Sequence, residues 1–299
     1  MKILKKDGLF KEAQWNDKLP NILQTFLLGY FYLLLGQLIG EVFIFIVTKS
    51  ITLSPTFKLL SYLIFGFIFC SLLIFMRIKI KEKRTLSSFG FQKRGSIKNY
   101  FLGFLIGAIL MSIITLILVF TGNAVLNNNS IQPLGISAIF NILIILPGWI
   151  IQSATEEILT RGWIMNTLGA RYTPIIGLIG SSVFFALLHL TNPNVTFVSI
   201  INLILVGILF GLYVIKTKSL WGVCGMHAAW NFFQGNIFGF KVSGLDIQIG
   251  SIVELNTKGA NWISGGTFGP EGGIICTVIN SVAIIVLVYL ITKDNNQTL

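Results

Sequence analysis

Long apolar runs broken by short polar, basic stretches set the pattern of this chain. A hydrocarbon core of ~30 Å needs about 20 apolar residues in helical form. Eight runs approach or exceed that length, at roughly 22–47, 59–76, 100–120, 137–168, 174–190, 195–215, 220–240 and 273–291. None shows the strict alternation of a half-buried strand, so each is read as a helix. The pattern predicts an all-α, polytopic membrane helix bundle with about eight transmembrane helices. The fourth run is too long for one straight span. Pro147-Gly148 is expected to kink it and its last turns to leave the membrane.

Composition agrees with this. Only 11% of the 299 residues are charged and the mean hydropathy is +0.81, whereas soluble domains carry roughly 25% charged residues. The net charge of +11 does not point to nucleic acid, because the basic residues sit in short loops beside the spans. There they set topology and meet anionic lipid. Of 22 Lys and Arg, 17 fall in the N-terminal segment, the stretch 77–98, Arg171, Lys216, Lys218 and Lys293. The opposite loops hold Lys49, Lys58, Lys241 and Lys258, and Arg161 lies inside a run. Basic loops face the cytoplasm, so both termini are expected there, in a multi-pass protein of the cell membrane. The stretch 77–98 is expected to lie partly as an amphipathic segment on the inner leaflet. A cleaved signal peptide is not expected, since the first apolar run is longer than a ~7–15 residue signal core. Cys70, Cys224 and Cys276 have no metal-site spacing and read as small buried residues.

The division expected is one integrated membrane domain. Residues 1–136 form an N-terminal cytoplasmic tail and three peripheral spans with the basic loop 77–98. Residues 137–292 form the functional core, and 293–299 a short cytoplasmic tail.

Ionisable groups within the spans carry the chemistry, because lipid penalises them unless they face a protein interior or a cavity. Asp7, Glu12, Asp17, Glu82, Asp246, Glu254, Glu271 and Asp294 fall outside the spans, leaving Glu41, Glu156 and Glu157. Glu41 reads as a snorkelling residue near a span end. Neighbours on a helix point about 100° apart, so Glu156 and Glu157 cannot share one task. Glu157 and Arg161 stand at i, i+4 and can pair. Glu156 has no cation at i+3 or i+4 and shares its face with Gln152, Ser153 and Thr160. It is the carboxylate available as a general base. Both histidines of the chain, His189 and His227, also lie in apolar runs. Asn231 stands one turn beyond His227, and Gln234 extends that polar stripe. There is no H-E-x-x-H zinc helix, no G-x-S-x-G elbow and no phosphate-binding loop.

Three motifs, Glu156-Glu157-x-x-x-Arg161, Phe185-x-x-x-His189 and His227-x-x-x-Asn231, occur in order on successive spans. In these the chain resembles the CAAX-protease and bacteriocin-processing (CPBP, or Abi) family, in its bacterial branch. The glycine-rich segment 265–273 resembles one found in bacterial members, and the resemblance covers roughly 137–280. It implies an intramembrane endopeptidase cutting near the cytosolic face. Glu156 and His189 would activate water, His227 and Asn231 would stabilise the oxyanion, and Glu157 and Arg161 would hold the site together. No cofactor is favoured. Zn is the alternative, with Glu156, His189 and His227 as its ligands. The partners implied are a peptide or membrane-protein substrate and the lipid bilayer, with no nucleic acid. Leaders, pheromones, bacteriocins and CAAX-like termini are the substrate classes considered. The rival readings are a non-catalytic immunity or scaffold protein and a proton-coupled transporter. One tension remains: at ~1.5 Å per residue, Glu156 and His227 lie ~10–20 Å from the inner boundary, but His189 lies ~22 Å from it.

Overall fold

The computed structural model describes residues 4–6, 8–14 and 18–297. Lys2, Asp7, Asp17, Thr298 and Leu299, which enter the readings above, lie outside them. The protein is an all-α, multi-pass membrane bundle. A short α1 (Leu9–Ala13) precedes α2 (Ile22–Thr48), α3 (Pro55–Arg77) and α4 (Ser96–Phe120). A continuous rod follows: α5 (Ile139–Glu157), a π-helical stretch Ile158–Met165, and α6 (Asn166–Arg171). Then come α7 (Pro174–Leu188), α8 (Phe197–Thr217), α9 (Trp221–Phe232) with a π-turn Phe233–Ile237, the one-turn α10 (Asn261–Ser264), and α11 (Ile274–Gln297). Local chemistry fixes the starts. Asn21 and Gln24 form a reciprocal capping box on α2, as Thr196 and Ser199 do on α8, while Pro174 opens α7 behind the Thr173 cap. β1 (Ala124–Leu126) and β2 (Leu255–Thr257) pair antiparallel outside the helices.

Among the described residues, six helices are long and apolar enough to cross a membrane. The fifth and seventh of the eight expected spans are shorter. α7 has 15 residues, about 22 Å of helix against a ~30 Å core. α9 is short too, and Gly222–Phe232 are all buried, so it is wrapped by protein rather than lipid. α4 packs on it closely enough that a Cβ on Gly103 or Gly107 would overlap the carbonyls of Gly222 or Met226. Such small-residue contacts suit membranes, where close packing drives helix association. α5 stays helical through Pro147, and its departure from α geometry is instead the π stretch that begins after Glu157.

The contacts divide the bundle into two ends. At one, α1 packs on α6, Lys216 pairs with Asp294, Gly90 O accepts from Leu220 N at 3.0 Å, and Trp221 Nε1 donates to Gln92 O. All the described segments of the basic-rich set gather here. The other end holds the β-pair, the 239–272 loops and the start of α5, where Asn141 Nδ2 donates to Ile249 O. The stretch 77–98 holds a π-helical turn, Ile78–Glu82, and a 3-10 turn, Leu86–Phe89, before α4 begins. Ile80 and Leu86 are exposed among lysines, but Ile78, Glu82, Arg84, Ser88 and Phe89 are buried. Glu82 is held by Arg77 (2.8 Å), Arg84 (3.0 Å) and Trp163 Nε1 (3.0 Å), which tucks this loop into the bundle.

Candidate active site

Glu156 and Glu157 end α5, one helical step apart, and face different surroundings. Glu157 Oε1 accepts from Arg161 Nη1 at 2.9 Å and from His227 Nδ1 at 2.9 Å. Arg161 is fully buried. Its guanidinium lies 4.7 Å from the Phe185 ring centroid and 5.5 Å from that of Phe210, and Nη1 also donates to Thr160. Glu156 Oε1 accepts from Gln152 Nε2 at 2.6 Å. Its Oε2 has no hydrogen-bond partner among the described residues and lies 3.7 Å from His227 Nε2. A gap of that size between two polar atoms suits a bridging water.

The two imidazoles are oriented alike. Glu157, as a carboxylate, can only accept, so His227 carries its proton on Nδ1 and turns Nε2 toward Glu156. His189 Nδ1 donates to the Phe185 carbonyl at 2.9 Å, a group left over at the end of α7, and this leaves His189 Nε2 as an acceptor. The Phe185 ring packs at a tilt against His189 (centroids 4.7 Å apart, planes 52° apart), meets His227 edge-on at 5.9 Å and lies under Arg161. The aromatic of the second motif thus links the other two. Asn231 Nδ2 donates to Gln152 Oε1 at 3.0 Å, which keeps one amide hydrogen for another acceptor. π-geometry follows both Glu157 and Asn231, a feature frequent at functional sites.

Glu156, His189, His227 and Asn231 line one cavity of about 400 Å³. The depth tension is resolved by the continuous rod. Arg171 and Pro174 sit side by side at the basic end, and Glu156 and His189 each lie 15 residues from that turn, about 22 Å along their helices. α9 starts beneath the tucked 77–98 loop, which lowers His227 to the same level. α2 and α3 add walls through Gln37, Tyr62 and Phe67.

Three polar residues were given no role by the sequence reading. Gln152 joins Glu156 to Asn231, and its place one turn before Glu156 was the available signal. Glu271 lines the same cavity. It accepts from Trp230 Nε1 (3.3 Å), Gln234 Nε2 (3.0 Å), Ser243 Oγ (3.0 Å) and the Ser243 backbone N–H. Only its glycine-rich neighbourhood hinted at this. Gly269 there has φ +109°, and a Cβ would press on the Lys241 carbonyl. Glu82 is the third, buried between Arg77, Arg84 and Trp163. Glu41 is exposed.

Among the described residues no group of three His, Cys, Asp or Glu side chains is arranged to hold a metal ion.

Residues 138–233 match the family model described as type II CAAX prenyl endopeptidase Rce1-like. The match supports the CPBP/CAAX protease family and, in general terms, a CAAX-type intramembrane endopeptidase. All three motifs fall inside the matched segment. No curated protein and no solved structure matches the chain.

Proposed function

We propose that this CPBP-type membrane protein hydrolyses a peptide bond of a membrane-associated protein or peptide through a glutamate-activated water. The observation that carries this reading is the single cavity shared by Glu156, His189, His227 and Asn231. A peptide segment fits such a space, and peptide hydrolysis needs a base for water and donors for the oxyanion.

Two carboxylates and one guanidinium leave one negative charge in the cluster. A second proton on His227, with Nδ1–H on Glu157 and Nε2–H facing Glu156 Oε2 across 3.7 Å, cancels it. With that proton on His227 Nε2, Glu156 is free to act. A water between Glu156 Oε2 and His189 Nε2 gives its proton to Glu156 and attacks the scissile carbonyl. The oxyanion then accepts from Asn231 Nδ2–H and His227 Nε2–H. Glu156 returns the proton to the leaving amine, which breaks the C–N bond. Glu157 and Arg161 orient His227, in the manner of a carboxylate behind a histidine. Processing of leader, pheromone or bacteriocin-type peptides, the bacterial pattern, is the favoured substrate class over CAAX-like termini.

Glu156→Gln keeps the size of the side chain and the Gln152 contact but removes the base. Peptidomic mass spectrometry on cells carrying wild-type protein or Glu156→Gln tests the proposal. Products present only with the wild type are expected. Identical peptide sets at equal expression would refute hydrolysis and favour a non-catalytic binder.

A further inference from the structure

We propose that the cavity opens on the non-cytoplasmic side of the membrane and that its substrates are peptide segments presented from that side. The second half rests on the hydrolytic reading above, while the first stands on geometry and charge alone.

The basic-rich segments gather at one end of the bundle, and that end is closed over the site. Phe89, Trp163 and Leu220 are fully buried there. The Gly90 carbonyl holds Leu220 N, and the Arg77–Glu82–Arg84 cluster locks the loop to Trp163. No residue of the 77–98 loop lines the cavity. From the level of Glu156 the lining runs the other way, to Asn192, Ser243, Leu245 and Asp246, all on loops of the sparsely charged end. Leu245 and Asp246 are exposed at this mouth. α7 stops at His189, so its missing outer turns leave that half of the cavity to be walled by loops. Irregular backbone at such depth is tolerated where it lines a polar cavity.

Basic loops remain in the cytoplasm, which places the mouth on the opposite side. This reverses the cytosolic-face cleavage implied by the family resemblance. The lining also carries Glu156, Asp246 and Glu271 and no Lys or Arg. A free C-terminal carboxylate would meet like charge there, whereas an internal bond or a basic flank would not.

The test uses the native chain, whose Cys70, Cys224 and Cys276 are buried. Gln248→Cys places a thiol on the mouth end and Lys93→Cys one on the basic end, both at exposed positions. A membrane-impermeant maleimide applied to intact cells is expected to label Gln248→Cys, and to label Lys93→Cys only after permeabilisation. The reverse pattern, or labelling of Gln248→Cys only after permeabilisation, overturns the orientation. A second arm places the peptide recovered by the peptidomic comparison on either side of a single-span carrier. Cleavage of the exported copy, lost with Glu156→Gln, supports the substrate class. Cleavage of the cytoplasmic copy alone overturns it. Cleavage of neither copy defeats the hydrolytic reading and leaves the orientation to the labelling result.

Discussion

Arg161→Met probes the most deeply buried ion pair of the site. The guanidinium is fully buried, bonds Glu157 at 2.9 Å and Thr160 at 2.8 Å, and lies over Phe185 and Phe210. Removing one partner of a buried pair costs ~3–5 kcal/mol, because the other charge is left uncompensated. Methionine refills the apolar volume between the two rings, and His227 keeps one hydrogen bond on Glu157. The expected loss is therefore at the lower end, about 3 kcal/mol. Glu157→Gln strands the guanidinium instead and should cost a similar amount. In the double variant both charges are gone, and a neutral, well-filled replacement of a buried pair is close to neutral in stability. The two single losses should then exceed the double loss by about 2 kcal/mol or more. Unfolding in mixed micelles by titrated SDS, followed by tryptophan fluorescence, measures all three. Arg161→Met within about 1 kcal/mol of wild type, or single losses that simply add, would refute the account of the pair.

Three further outcomes are expected. With a glutamate rather than a metal activating the water, prolonged chelation should leave the cleavage rate unchanged; a loss restored by added zinc would contradict this. Glu271 accepts from four donors, so Glu271→Gln brings an amide donor against them and should loosen α9 beside Asn231, lowering kcat roughly 10–100-fold with little change in KM; an unchanged kcat would show that this brace is dispensable. Gly107→Val drives a side chain into the Met226 carbonyl and should destabilise the bundle by roughly 1–3 kcal/mol, whereas Leu105→Val, on the exposed face of α4, should leave the SDS midpoint where it was.

The helices were legible because lipid demands long apolar runs, and the sequence bounds of the longer ones agree with the structure to within six residues. The span of α7 was legible too, since the run read as 174–190 ends within two residues of the helix Pro174–Leu188. Its cap, His189 Nδ1 on the Phe185 carbonyl, is a contact that composition does not report. Glu156 and Glu157 could be told apart by spacing, since only Glu157 has a cation one turn on. Its second bond, to His227, joins residues 70 apart and required the tertiary fold. Glu271 and Glu82 were passed over for a shared reason. Each lies in a polar stretch outside the long apolar runs, and each accepts a hydrogen bond from a tryptophan distant in sequence, Trp230 and Trp163 respectively.

The shortness of α7 also bears on the surrounding lipid. Ile175, Ile179 and Leu187 expose one flank of this helix, yet its ~22 Å falls several ångströms short of the hydrocarbon thickness. Hydrophobic mismatch of this kind is relieved by local thinning of the bilayer, at fractions of a kcal/mol per ångström. Thinning is therefore expected beside His189, where a polar peptide backbone would have the least oil to cross. Acyl-chain length would then become a determinant of how readily a segment leaves the lipid for the protein.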